Sequence, residues 1–127
     1  MTQEEKDLLL KDLCARLPHN TICQVEFKNR GKYETKNMTL SGIFKDAAYF
    51  TIENGSVYSN NYKPYLFPLS SMTEEQKEEY QYITERWMND PSHSISDSTD
   101  WLNRNHFDYR GLIEKGLAID ATGLNIY

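Results

Sequence analysis

Hydrophobic residues recur with helical spacing at the start of the chain. The apolar positions at i, i+3, i+4 and i+7 are Leu10, Leu13, Cys14 and Leu17. Thr2 and Glu5 have the spacing of a capping box, and Pro18 cannot continue a helix. On this pattern Asp12 and Arg16 form an i, i+4 pair on the solvated face. We therefore predict an N-terminal amphipathic helix.

Between residues 21 and 67 the hydrophobic period changes to two, which is typical of strands that bury one face. The inward positions are Cys23, Val25, Phe27, Met38, Leu40, Gly42, Phe44, Ala48, Phe50 and Ile52. Asn54-Gly55 is a strong hairpin signal, and Gly42 suits a bulge. The pattern predicts about five short strands, arranged as an antiparallel meander or as a small SH3-like barrel.

Beyond the strands the spacing becomes helical again. Pro64 and Pro68 suit a strand edge or end, and Thr73 with Gln76 forms a second capping box. Asp108 can cap a further short helix. These features predict C-terminal helices and an α+β fold.

The length of the chain indicates one domain. With 127 residues, 39% of them hydrophobic and 26% charged, the chain can bury a core without disulfides or metals. We predict a single domain over residues 1–127, in which residues 1–69 form the first helix and the sheet. Residues 70–127 then form a helical part packed on it.

The cysteines and the N-terminus favour a reducing compartment. Cys14 and Cys23 both fall on predicted inward faces, as buried thiols. The first residues are acidic where a signal peptide is basic, and no apolar run approaches the roughly 18 residues of a spanning helix. We predict a cytoplasmic protein that does not contact a membrane.

The most binding-like surface in the sequence is a set of tyrosines around the last predicted strands. Tyr58, Tyr62 and Tyr65 are interspersed with Asn60 and Asn61. Tyrosine offers a large, rigid, amphipathic contact area at low entropic cost. We therefore expect a protein-binding site at the sheet edge.

An acidic helix could add to that site. Residues 70–100 carry a net charge of −6. Glu74 and Glu75 are explained by the helix dipole, whereas Glu78 and Glu79 are free to face a basic protein surface. We expect these two glutamates to contribute to partner binding.

Nucleic-acid binding is the first alternative. The cations of the predicted hairpin 28–36 are Lys28, Arg30, Lys32 and Lys36. Tyr33 lies among them and could stack on a base. The net charge of −5 for the whole chain opposes binding to phosphates, so this hypothesis ranks second.

A small enzyme is the second alternative. His106, Asp108 and Arg110 place groups suited to acid–base chemistry close together in sequence. Helix capping explains the same residues without catalysis.

We predict no metal and no cofactor. Cys14, His19 and Cys23 lack the close ligand pairs of a structural zinc site, and the common phosphate-binding and hydrolase motifs are absent from the sequence.

Three segments carry a resemblance to a protein family. They run through Lys63-Pro64-Tyr65-Leu66 to Met72-Thr73-Glu74-Glu75, through Asp100-Trp101-Leu102-Asn103, and over residues 105–118. With the opening helix, they resemble a family of short uncharacterised proteins from gut bacteria and their prophages. The resemblance implies a cytoplasmic setting on a mobile element and no particular activity.

These patterns together predict a non-enzymatic interaction module that is encoded by a phage or prophage and binds a protein partner. They identify neither that partner nor the oligomeric state.

Overall fold

The computed structural model describes residues 2–44, 47–52, 55–89 and 96–127. Three helices are α1 (Gln3–Arg16), α2 (Glu74–Asn89) and α3 (Ser96–Arg104), and short 3-10 turns span Leu17–His19 and Leu69–Ser71. The strands are β1 (Ile22–Asn29), β2 (Lys32–Phe44), β3 (Ala47–Ile52), β4 (Gly55–Ser59), β5 (Tyr62–Pro68), β6 (Phe107–Asp108) and β7 (Ile119–Asp120). The predicted α+β fold is confirmed. Asn54 of the predicted hairpin lies outside the described residues.

The strands form one mostly antiparallel open sheet. Its order is β4-β3-β2-β1-β5-β6, and β7 also pairs with β5. Strands β1 to β4 are the predicted meander, and β5 returns to the free side of β1. The alternative of a closed small barrel is wrong, because the far half of β5 pairs in parallel with β6 and β7 instead of meeting β4. Strand β4 reaches β1 only at a corner, where the Ser59 hydroxyl donates to the carbonyl oxygen of Glu26 at 2.7 Å.

Helix α1 buries a face that differs by one position from the predicted one. Its buried residues are Leu9, Asp12, Leu13 and Arg16. Cys14 is exposed, so the prediction of two inward thiols holds only for Cys23, whose burial raises the pKa of its thiol. The pairing of Asp12 with Arg16 on a solvated face is also wrong, since both side chains are fully buried. Asp12 and Arg16 are also bound by Arg110 and by the Phe107 carbonyl, which are distant in sequence and which a helical pattern does not reveal.

Two hydrophobic clusters hold these elements together. The larger lies between α1 and the sheet and includes Leu13, Val25, Phe50 and, from the second half of the chain, Leu112. The smaller is built on Trp101, Leu102 and Phe107, with Phe67, Met72, Tyr80, Ile83 and Tyr109 packed against it. The two halves of the chain therefore share buried surface, although the assignment to one domain stays a prediction.

The helix predicted after Asp108 is wrong, because residues 111–117 form turns. The Asp108 carboxylate nevertheless accepts hydrogen bonds from the backbone N–H groups of Arg110, Leu112 and Ile113. This carboxylate organises a loop instead of a helix. Among the described residues, no helix is long and apolar enough to cross a lipid bilayer.

The position of the core can be tested with two phenylalanines. Phe50 is fully buried, as predicted. Phe44 was also predicted to face inward, which is wrong: it is 56% exposed and follows the bulge between Leu40 and Gly42 that shifts the register of β2. We expect Phe50→Ala to lower the free energy of unfolding by about 3–5 kcal/mol through the cavity it leaves, and Phe44→Ala to lower it by about 0.5 kcal/mol or less. Urea unfolding followed by circular dichroism measures both. Equal losses in the two variants would contradict this assignment of the core.

Candidate functional site

The structure separates the three tyrosines that were expected on one surface. Tyr58 is 53% exposed, whereas Tyr62 and Tyr65 are each only 5% exposed. Tyr62 faces inward and its ring lies 5.4 Å from that of Phe50. The Tyr65 hydroxyl donates to Asn37 Oδ1 at 2.7 Å. The predicted surface is therefore corrected to Tyr58 alone, since burial in the core cannot be read from residue type.

A groove of about 400 Å³ brings Tyr58 together with the tip of the β1–β2 hairpin. We call it the tyrosine groove; its lining is Glu26, Phe27, Lys28, Tyr33, Tyr58, Ser59, Asn60 and Asn61. Tyr33 is 72% exposed and lies opposite Lys28 in the hairpin register. The groove thus joins one residue of the expected protein site to two residues of the expected nucleic-acid site.

Hydrogen bonds fix the floor of the tyrosine groove. The Ser59 hydroxyl donates to the backbone carbonyl of Glu26 and accepts the Asn61 N–H at 3.0 Å. The Asn61 side-chain amide donates to Glu26 Oε2 at 3.2 Å, and the Glu26 N–H donates to the Asn61 carbonyl at 3.0 Å. A floor held in this way loses little conformational entropy when a ligand binds.

A second tyrosine extends the aromatic surface beyond the groove. Tyr49 and Tyr58 lie opposite each other on β3 and β4, with their ring centroids 4.9 Å apart. Gly42 is the next residue in this row, because a bulge after Leu40 shifts the register of β2. The predicted bulge at this glycine is confirmed. With no side chain at Gly42, the Tyr49 ring lies over the backbone of β2.

The basic hairpin divides between two surfaces. Lys28 and Tyr33 line the tyrosine groove, while Lys36 lines a separate groove of about 790 Å³ on the other side of β2. Arg30 and Lys32 are exposed at the turn, where Arg30 adopts a positive φ of 51°. The cations therefore do not form one continuous phosphate-binding track.

The acidic helix lies away from the tyrosine groove. Glu78 and Glu79 are exposed on α2, which follows the C-terminal end of β5 and packs on α3 through Tyr80 and Trp101. The groove lies at the opposite end of β5, and neither Glu78 nor Glu79 is among the residues that line it. Their role in partner binding stays a prediction.

His106 and Asp108 are both engaged in structural contacts. The Asp108 carboxylate is occupied by backbone N–H groups, as described above. The His106 ring stacks on Tyr127, with centroids 3.6 Å apart and planes 10° apart, and its carbonyl accepts the N–H of Phe67 at 2.8 Å. Burial, then Arg16 and His19, lower the pKa of His106 to about 4.

A buried ionic cluster of Asp12, Arg16 and Arg110 lies beneath this region. Asp12 binds Arg16 Nε at 2.7 Å and Arg110 Nε at 3.1 Å. Arg16 Nη2 donates to the Phe107 carbonyl at 2.6 Å, and the Tyr109 ring lies 5.3 Å from the Arg16 guanidinium and 4.9 Å from that of Arg110. The cluster joins α1 to Phe107 and Arg110, which lie 91 and 98 residues after their partners in the sequence.

Sequence reasoning missed this cluster, although both members of the first pair were recognised. An i, i+4 pair reads the same whether it faces water or the core. The only available signal was the second arginine, Arg110, beside an aromatic residue.

The two cysteines and His19 offer little to a metal ion, since Cys14 is exposed on α1 and Cys23 is buried on β1. Across the part of the chain that the structure describes, no group of three or more His, Cys, Asp or Glu side chains could hold a metal.

No protein-family model matches the chain, and neither a curated protein nor a solved structure is detectably similar to it. The resemblance to prophage proteins stays a prediction.

The environment of His106 predicts a pH dependence. Its pKa falls from 6.5 to about 4 in the folded protein, so folding favours the neutral ring. The contribution of neutral His106 to the free energy of unfolding is complete above pH 6.5, and it is lost as the pH falls toward 4. We expect the difference in unfolding free energy between wild type and His106→Asn to shrink over that range, since Asn does not titrate and tolerates the positive φ of 63°. A difference that stays constant with pH would contradict this environment.

Proposed function

We propose that this protein is a non-enzymatic binding module that captures an extended segment of a protein partner in the tyrosine groove. The observation that carries the proposal is the meeting of two exposed tyrosines, Tyr33 and Tyr58, over a floor of hydrogen-bonded asparagine and serine. Surfaces rich in Tyr, Asn and Ser are typical of protein recognition sites.

The chemistry of the groove suits a peptide in an extended or polyproline conformation. Tyrosine ring faces accept apolar and proline side chains, while the side chains of Asn60 and Asn61 can exchange hydrogen bonds with the free backbone groups of such a peptide. Glu26 and Lys28 place one charge of each sign along the lining. Glu78 and Glu79 of the acidic helix do not line the groove, so this contact is proposed without them.

Single-stranded nucleic acid is the second candidate ligand for the groove. Lys28 and Tyr33 lie opposite each other in the hairpin register, which combines a phosphate contact with a stacking surface. Glu26 in the same lining and the net charge of −5 oppose it, so the peptide ranks first.

The two ligands are distinguished by selection followed by binding measurements. We expect peptides selected from a displayed random library to bind the wild-type protein and to lose at least about 30-fold in affinity on Tyr58→Ala, because an aromatic anchor contributes about 2 kcal/mol or more. Tyr33→Ala should weaken the same peptides. Fluorescence anisotropy measures each dissociation constant.

Two matched controls accompany this experiment. Tyr82→Ala removes a tyrosine that is 62% exposed on α2, and the double variant Glu78→Lys, Glu79→Lys reverses the charge of the acidic helix; neither should change peptide binding. Selected peptides that bind Tyr58→Ala as tightly as wild type would refute the peptide proposal. Salt-sensitive retardation of an oligothymidine in a gel, lost on Lys28→Glu, would support nucleic acid instead.

A further inference from the structure

Residues 122–127 form a strap beside β1 and β5, held by the side chain of Tyr127. The Tyr127 hydroxyl accepts the backbone N–H of Ile22 at 2.9 Å and donates to the Tyr65 carbonyl at 2.9 Å. The Tyr127 ring covers His106 and lies 6.0 Å from that of Phe67. A side-chain hydroxyl thus bridges the backbones of β1 and β5.

The register of β1 and β5 indicates that this bridge replaces a backbone hydrogen bond between the two strands. Glu26 and Asn61 form a backbone hydrogen bond, and the register continues with Gln24 opposite Lys63. Hydrogen-bonded pairs alternate along an antiparallel ladder, so Ile22 opposite Tyr65 is the position beyond Gln24 where a direct bond is expected. The Tyr127 hydroxyl occupies that place.

The two strands separate at this point. Beyond Tyr65, the edge of β5 that faces β1 pairs with β6 instead, where the Phe67 N–H donates to the His106 carbonyl at 2.8 Å. Strand β7 pairs with the opposite edge of β5, where the Leu66 carbonyl accepts the N–H of Ala121 at 2.9 Å. The bridge therefore holds the fork between β1 and β5 open. Without it, the N–H of Ile22 and the carbonyl of Tyr65 can bond each other directly, so that neither backbone group is left unpaired when the strap departs.

The strap also forms one wall of a neighbouring groove. Asn125 and Ile126 line the groove of about 790 Å³ together with Ile22, Thr39 and Thr51. Most of the strap is exposed: residues 122–125 lie on the surface, and Leu124 is 50% exposed. The contacts that hold the strap to β1 and β5 are the hydrogen bonds of the Tyr127 hydroxyl and the stacking of its ring on His106, although Tyr127 is itself 43% exposed.

We propose that residues 122–127 are a releasable strap, latched by the Tyr127 hydroxyl, that holds the β1–β5 fork open and closes one side of the neighbouring groove. Release exposes Ile22 and the His106 ring and lets Ile22 pair directly with Tyr65. The device is independent of the tyrosine groove, which lies at the other end of β5.

Amide hydrogen exchange of the full chain, measured by NMR at neutral pH, tests the latch. Tyr127→Phe keeps the ring and removes both hydrogen bonds. We therefore expect the strap amides of Thr122 and Leu124, which donate to Asp120 Oδ1 at 2.9 Å and to the Ala121 carbonyl at 3.1 Å, to exchange about tenfold faster. The amide of Val25, in the core of β1, should keep its rate. Tyr82→Phe is the matched control and should leave all three rates unchanged.

Two results would overturn the proposal. Strap amides that exchange at the wild-type rate in Tyr127→Phe would show that the hydroxyl is not the latch. Strap amides that accelerate by the same factor as Val25 would show that the strap opens only when the whole protein unfolds.

The fork supplies a second readout. In Tyr127→Ala we expect a through-hydrogen-bond coupling between the Ile22 nitrogen and the Tyr65 carbonyl carbon, which the wild type lacks. Its absence from the variant would contradict the closing of the fork.

Discussion

The buried ion pair between Asp12 and Arg16 is the contact on which the arrangement of the two halves depends. Both side chains are fully buried, and a buried charge without a partner costs several kcal/mol. Helix α1 must therefore present this pair to groups that can satisfy it, namely Arg110 and the carbonyl of Phe107. Because those groups come from the second half of the chain, the pair sets both the rotation of α1 and the position of β6 on the sheet.

The buried Asp12–Arg16 pair is connected to the strap through the residues next to Phe107. Phe107 follows His106, whose carbonyl pairs with β5 and whose ring carries Tyr127. Arg16 Nη1 and His106 Nδ1 are both buried and lack a hydrogen-bond partner among the described residues. The tyrosine groove is built differently: it lies at the far end of β5, where the Ser59 corner joins β4 to β1. The proposed recognition surface and the proposed releasable strap therefore lie at different positions along β5.

Local patterns predicted the elements well and the contacts between them poorly. Alternating hydrophobicity gave the β1–β4 meander, and the capping box at Thr73 and Gln76 marked the start of α2. The buried face of α1 was predicted one position away from the observed one, because Asp12 and Arg16 were assigned to the solvated face. Tyr62 and Tyr65 were assigned to the surface because tyrosine suits both a core and a binding site. The short parallel strands β6 and β7 have only two residues each, too few for a periodic signal.

A double-mutant cycle on Asp12 and Arg16 tests the central claim most directly. Asp12→Ala removes the carboxylate, Arg16→Met removes the charge while keeping most of the volume, and the double variant closes the cycle. Unfolding free energies in urea should give a coupling of about 2 kcal/mol or more, because Asp12→Ala leaves the buried Arg16 charge without a carboxylate and Arg16→Met leaves Asp12 with Arg110 alone. A coupling of about 0.5 kcal/mol or less, typical of an exposed helical pair, would contradict the account.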